Sequence, residues 1–98
     1  MNKQILREIG LTEGEIKVYL ALLKLGEARK TKLANEAGVS SSKVYEICAR
    51  LQKKGIVGSI IKEEKKHFQA MEPKRLTDFF NDKTAKVEQQ KKELEKTI

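Results

Sequence analysis

Ser40-Ser41-Ser42-Lys43 precedes apolar residues at helical spacing, Val44, Ile47, Cys48 and Leu51. This predicts a helix from Ser41 to Lys54, stopped by Gly55. Ser40 is its N-cap, with the hydroxyl on an end amide. The other N–H groups at that end suit a phosphate oxygen. Ser41 and Ser42 carry short hydroxyls that can bond bases or phosphates. Lys43 and Lys53 lie off the apolar stripe and suit phosphate. Tyr45 is one step off it and either offers its hydroxyl to phosphate or flanks the core. Arg50 is the one arginine of this helix. It sits beyond the middle and is not assigned to base reading.

Other chemistry finds little support. His67 is the sole histidine and Cys48 the sole cysteine, so no metal-ligand cluster is expected. No nucleophile–base pair and no Gly-rich phosphate loop can be assembled. We therefore expect no enzyme activity and no cofactor. Cys48 falls on the apolar face and reads as a small core residue. A single cysteine forms no internal disulfide. Acidic residues such as Glu88, four before Lys92, read as ordinary surface pairs.

The elements that position this segment follow from periodicity. Lys3–Ile9 reads as a first helix presenting Ile5, Leu6 and Ile9, ended by Gly10. Thr12-Glu13-Gly14-Glu15 is a capping box. It opens a helix to about Leu25, with Gly26 as its stop. Apolar residues cover much of this helix (Ile16, Val18, Tyr19, Leu20, Leu22, Leu23, Leu25), so it should be central and largely buried. Ala28–Lys30 reads as a short extended link able to add a third strand. Thr31 is expected to cap a short helix, Lys32–Ala37, and Gly38 to turn the chain toward Ser40. Two such helices across a tight turn form a helix-turn-helix, whose second helix can enter the major groove of duplex DNA.

After Gly55 the period changes. Ile56–Lys62 and His67–Met71 read as two strands of a hairpin, joined through Glu63-Glu64-Lys65-Lys66. With no Asn-Gly or Asp-Gly, a loop of four or more residues is expected. The hairpin is the wing of a winged helix, and Lys62, Lys65 and Lys66 lie near its tip. Pro73 suits a helix start. One helix should then run to Ile98, about 25 residues or near 37 Å. Phe80, Val87 and Leu94 are spaced by seven, but the matching positions Lys83, Gln90 and Thr97 are polar. That seam is thinner than a coiled coil requires. The fold class expected is mainly α with a small β-hairpin: a winged helix-turn-helix over residues 1–72, then a long helix over 73–98.

The formal charge is +7 over 98 residues, and its distribution is uneven. Residues 1–28 balance four basic against four acidic side chains. Residues 29–66 hold ten Lys/Arg against four Glu, and residues 67–98 seven basic against six acidic. The excess therefore falls on the helix-turn-helix and hairpin, which implies a polyanion partner. Lys30 and Lys32 join the expected contacts, because the motif's first helix commonly crosses the DNA backbone. The longest apolar run, Val18–Leu23, is short of a membrane span. The first four residues lack the apolar stretch of a signal peptide. A cytoplasmic protein with no membrane partner is expected.

Three stretches resemble the TrmB family of archaeal transcriptional regulators. They are Leu11-Thr12-Glu13-Gly14-Glu15-Ile16-Lys17-Val18-Tyr19-Leu20-Ala21-Leu22-Leu23, then Ala37-Gly38-Val39-Ser40-Ser41-Ser42-Lys43-Val44-Tyr45-Glu46-Ile47, then Leu51-Gln52-Lys53-Lys54-Gly55-Ile56-Val57. A wing closing on Phe68-Gln69-Ala70-Met71-Glu72-Pro73 fits as well. The resemblance covers about residues 5–80. It implies a winged helix binding promoter DNA as a homodimer, with the helix after the wing in the dimer contact. By position, Ser41, Ser42, Lys43 and Tyr45 match the family's DNA-facing residues. The family often has Pro-Arg where this chain has Ser40-Ser41, so an arginine for base reading is absent there. Larger members carry a C-terminal sugar-binding domain, and this chain stops inside the helix that would lead to it. Effector sensing is thus not supported by this chain, which reads as a short member or a truncated one. The function expected is sequence-specific regulation of transcription. The competing readings are a non-specific DNA-coating chromatin protein and a protein-interaction module. The sequence leaves the operator, the sign of regulation and the dimer geometry open.

Overall fold

The computed structural model describes residues 3–97. Five helices and three strands follow in the order α1 (Lys3–Glu8), α2 (Glu13–Leu25), β1 (Glu27–Ala28), α3 (Lys30–Ala37), α4 (Ser41–Lys53), β2 (Val57–Lys62), β3 (Lys65–Ala70) and α5 (Lys74–Thr97). The expected class is present: a helical unit with a winged sheet, then a long helix.

Helix α2 is the centre, touching α1, α3, α4, β1 and β3. Its capping box forms on both sides. The Glu15 amide donates to Thr12 Oγ1 at 3.2 Å, and the Thr12 amide donates to Glu15 Oε1 at 2.9 Å. Ile16, Val18, Tyr19 and Leu22 are fully buried, whereas Leu23 faces outward. Of Ile5, Leu6 and Ile9, only Leu6 is fully buried; Ile5 is exposed, and Ile9 lies just past the end of α1. Gly14 lets α2 approach α4 closely, since a Cβ there would lie 3.1 Å from Ile47 Cδ1. Gly38 ends α3 in the left-handed region (φ 73°), which a residue with a Cβ enters at a cost.

Two local expectations are corrected. Thr31 does not cap α3. The helix begins one residue earlier, at Lys30, with Arg29 at the N-cap and no side-chain capping bond. The extended ψ of Arg29 and the pairing of Ala28 with Phe68 bring the chain into the helix before Thr31. The wing turn is also shorter than expected. Lys62 pairs directly with Lys65, leaving Glu63 and Glu64 as a two-residue loop with φ 51° and 65°. Positive φ at both positions is the type I′ pattern, whose twist matches that of the strands. Two glutamates tolerate it without glycine.

The third strand forms at Glu27–Ala28 and pairs antiparallel with β3, so the sheet order is β1-β3-β2. Phe68 on the middle strand is buried beneath the helices. Cys48 is buried as expected. Burial pushes its thiol up to about 11, with Lys66 opposing weakly, so it is no thiolate near neutral pH. Pro73 precedes a single helix of 24 residues. Ile98, where that helix was expected to end, lies outside the described residues.

Candidate nucleic-acid interface

The start of α3 concentrates positive charge where a helix least favours it. Arg29 is the N-cap, Lys30 and Lys32 fall in the first turn, and that turn holds no acidic side chain. The N-terminal end of a helix already carries about half a positive charge. Three cations there cost stability unless an anion sits against them. Thr31 is exposed between the lysines.

Helix α4 buries Val44, Ile47, Cys48 and Leu51. At about 100° per residue, Ser42, Glu46, Ala49 and Lys53 project opposite that stripe, and all four are exposed. Tyr45 flanks them on the wing side, Lys43 and Arg50 on the other. Ser40 caps the helix, accepting from the Lys43 amide at 3.4 Å. Its hydroxyl also lies 3.3 Å from that of Ser42. Ser41 is half-buried in the first turn.

Tyr45 joins three elements. Its ring stands edge-on to Phe68 of β3, with centroids 5.9 Å apart. Lys30 Nζ lies 5.2 Å and Lys66 Nζ 5.4 Å from its centroid. The ring flanks the core through Phe68 and remains 47% exposed. Tyr45 lines a shallow cleft with Arg29, Lys30, Thr31, Lys65, Lys66 and Phe68. Two cations thus lie over an exposed aromatic ring, and two more line the same cleft, where α3, α4 and the wing converge. Gln52 Nε2 donates to Ser59 Oγ at 3.2 Å, fixing the wing against α4.

The remaining candidates lie elsewhere. Lys32 lines a neighbouring concavity with Asn35 and His67. His67 Nδ1 donates to the Lys65 carbonyl at 3.0 Å. Lys62 is ion-paired with Glu27, which offsets its charge. Lys53 lines a separate cleft near the end of α4, with Arg50, Lys54, Phe79, Asp82, Lys83 and Lys86. The lysines contributed by α5 went unnoticed in the sequence, because no local spacing links them to α4.

Behind this face, α4 is anchored to α2. Glu15 is completely buried and ion-pairs with Lys54, the C-cap of α4. Lys54 Nζ also lies 5.7 Å from the Phe79 ring centroid on α5. Burial pushes the Glu15 carboxyl up, but the Lys54 ammonium and the Thr12 amide outweigh it and hold it below the ordinary range. One side chain thereby ties together α2, α4 and α5. Among the described residues no group of three or more His, Cys, Asp or Glu could hold a metal ion. Among the described residues, no helix is long and apolar enough to cross a membrane.

Comparison with known proteins gives a consistent picture. The family model for the sugar-specific transcriptional regulator TrmB matches residues 6–74. The HTH-type sugar sensing transcriptional regulator TrmBL1 of Pyrococcus furiosus is 39% identical over 54 residues. That match spans 55% of this chain but only 16% of the relative. Among solved structures, the archaeal chromatin protein TrmBL2, described as showing a novel mode of DNA binding, superposes with a TM-score of 0.85 at 21% identity. It covers 97% of this chain and 38% of that one. A possible transcriptional regulator from Methanosarcina mazei superposes at 0.73 and 12% identity, covering 90% of this chain and 80% of that one. At such identities these likenesses carry the fold alone.

Proposed function

This chain belongs to the TrmB family of sugar-specific transcriptional regulators, and from that premise we propose that it is a sequence-specific, dimeric DNA-binding regulator of transcription. Helix α4 enters the major groove and the wing lies along the neighbouring backbone. One observation carries the reading: the cluster of Arg29, Lys30, Lys65 and Lys66 around exposed Tyr45, on the side of α4 that also bears Ser41 and Ser42. Cations crowded at the start of α3 gain a partner once a phosphate sits there. The exposed Ser42 hydroxyl and, on the opposite flank of α4, Lys43 add positioning contacts.

Dimerisation through α5 is supported by its unpartnered apolar stripe. From Asn81 to Thr97 every residue is exposed. Phe80, Val87 and Leu94 are 46%, 53% and 62% exposed. Helices in water owe most of their stability to packing of such a face. At its base, Ile5, Ile9, Leu76 and Phe80 line an apolar groove between α1 and α5 that extends the stripe. A second copy on this surface would present two α4 helices to one duplex.

DNA coating remains the second reading, favoured by the short side chains of Ser42 and Ala49 on the outer face of α4. Hydroxyl-radical footprinting separates the two. A regulator protects two patches about 10 base pairs apart at a defined sequence. A coating protein protects the duplex evenly, and no protection would contradict both.

A further inference from the structure

We infer that Glu46 is a base-reading residue that selects cytosine, an inference that rests on the major-groove reading of α4. Glu46 stands on the outermost line of that helix, one turn beyond Ser42, with Ala49 one turn further on. It is exposed and, among the described residues, takes part in none of the ion pairs or side-chain hydrogen bonds. It is the one acidic side chain on α4, amid Lys43, Arg50 and Lys53. A carboxylate there is repelled by phosphates on both sides of the groove. A protein binding only backbone gains nothing from it.

The chemistry of the groove narrows what such a group can do. An ionised carboxylate only accepts hydrogen bonds. The major groove offers two kinds of donor, the N4 amino group of cytosine and the N6 amino group of adenine. At adenine the second carboxylate oxygen would face the lone pair of N7. At cytosine it faces the C5–H edge, which carries no lone pair. Guanine and thymine present only acceptors. Repulsion by the backbone then sharpens selection, since Glu46 costs affinity at every site lacking the amino group. Ser42 and Ala49, its neighbours along the stripe, are too short to compete for that base edge. The exposed carboxylate thus supplies the discrimination that the short side chains of α4 lack.

The test uses the 98-residue chain in three forms: wild type, Glu46→Ala and Glu46→Gln. Each selects duplexes from a random pool, and anisotropy measures the winners. The expected wild-type winner holds an invariant cytosine in each half-site. Replacing that C·G pair by T·A weakens wild-type binding about ten-fold or more, within the usual mismatch range. Glu46→Ala should bind both duplexes alike, and more tightly than wild type binds random DNA. Glu46→Gln should move the preference at that position to adenine, which presents N6 and N7 to a glutamine. If Glu46→Ala keeps the wild-type preference and changes affinity uniformly, Glu46 reads nothing and the inference is overturned. Wild-type binding without any sequence preference overturns it equally. Absence of DNA binding by wild type would overturn instead the major-groove reading beneath it.

Discussion

Replacing Lys54 by methionine isolates the buried ion pair behind the DNA-facing helix. Methionine keeps much of the apolar stem over Phe79 and removes the ammonium. Glu15, with no exposed surface, then holds its charge with Thr12 alone as hydrogen-bond partner. Breaking a fully buried pair costs about 3–5 kcal/mol. The Lys54 side chain retains 24% exposure, so water reaches the site, and we place the cost at about 2–3 kcal/mol. The sign with pH follows from linkage. In wild type the Glu15 carboxyl titrates below its ordinary value. Its contribution is complete above the unfolded value and fades as pH falls through the folded one. In Lys54→Met, burial dominates and the carboxyl moves up, so the variant loses stability as pH rises through the unfolded value. The difference between the two proteins is therefore largest near neutrality. It shrinks as pH falls through the range in which Glu15 titrates in the folded wild type, below which the carboxyl is neutral in both. Urea unfolding followed by far-UV circular dichroism at about pH 7 and about pH 3 measures it. A difference independent of pH would refute the electrostatic account and leave Lys54 as packing over Phe79.

Other outcomes follow from the same geometry. Glu63→Asn with Glu64→Gly relieves two left-handed glutamates; it should stabilise the protein by about 1 kcal/mol, or some 4–8 °C in Tm, and an unchanged Tm in thermal unfolding would contradict this. Lys30→Ala and Lys66→Ala should each flatten the dependence of log Kobs on log salt by about one unit for any duplex. Lys62→Ala should flatten it less, because Glu27 already offsets that charge, so equal slopes for all three variants would count against the Tyr45 cluster. Val87→Glu leaves the described core untouched, since Val87 is exposed, yet should convert a dimer to a monomer in sedimentation equilibrium. An unchanged mass would remove α5 from the interface.

Local chemistry was readable in the residues, and long-range contact was not. The Thr12–Glu15 capping box, the Ser40 cap and the apolar stripe from Val44 to Leu51 follow from spacing within one or two turns, and each is present. The partner of Glu15 lies 39 residues away, and no periodicity announces it. Thr31 looked like a cap because its type suits one, but strand pairing at Ala28 set the entry of the chain into α3. The wing turn was misjudged because Glu63 and Glu64 are poor turn residues, and register across the sheet outweighed their preference. The basic character of residues 29–66 was plain from composition. That Lys30 and Lys66 meet over one tyrosine required the fold.

Anisotropy at about 0.15 M salt, comparing a duplex selected from a random pool with the pool itself, tests the central claim most directly. The account predicts a two-fold symmetric winner, bound by two chains on the order of 10³-fold more tightly than random DNA. A ratio near one, or binding by single chains, would contradict it.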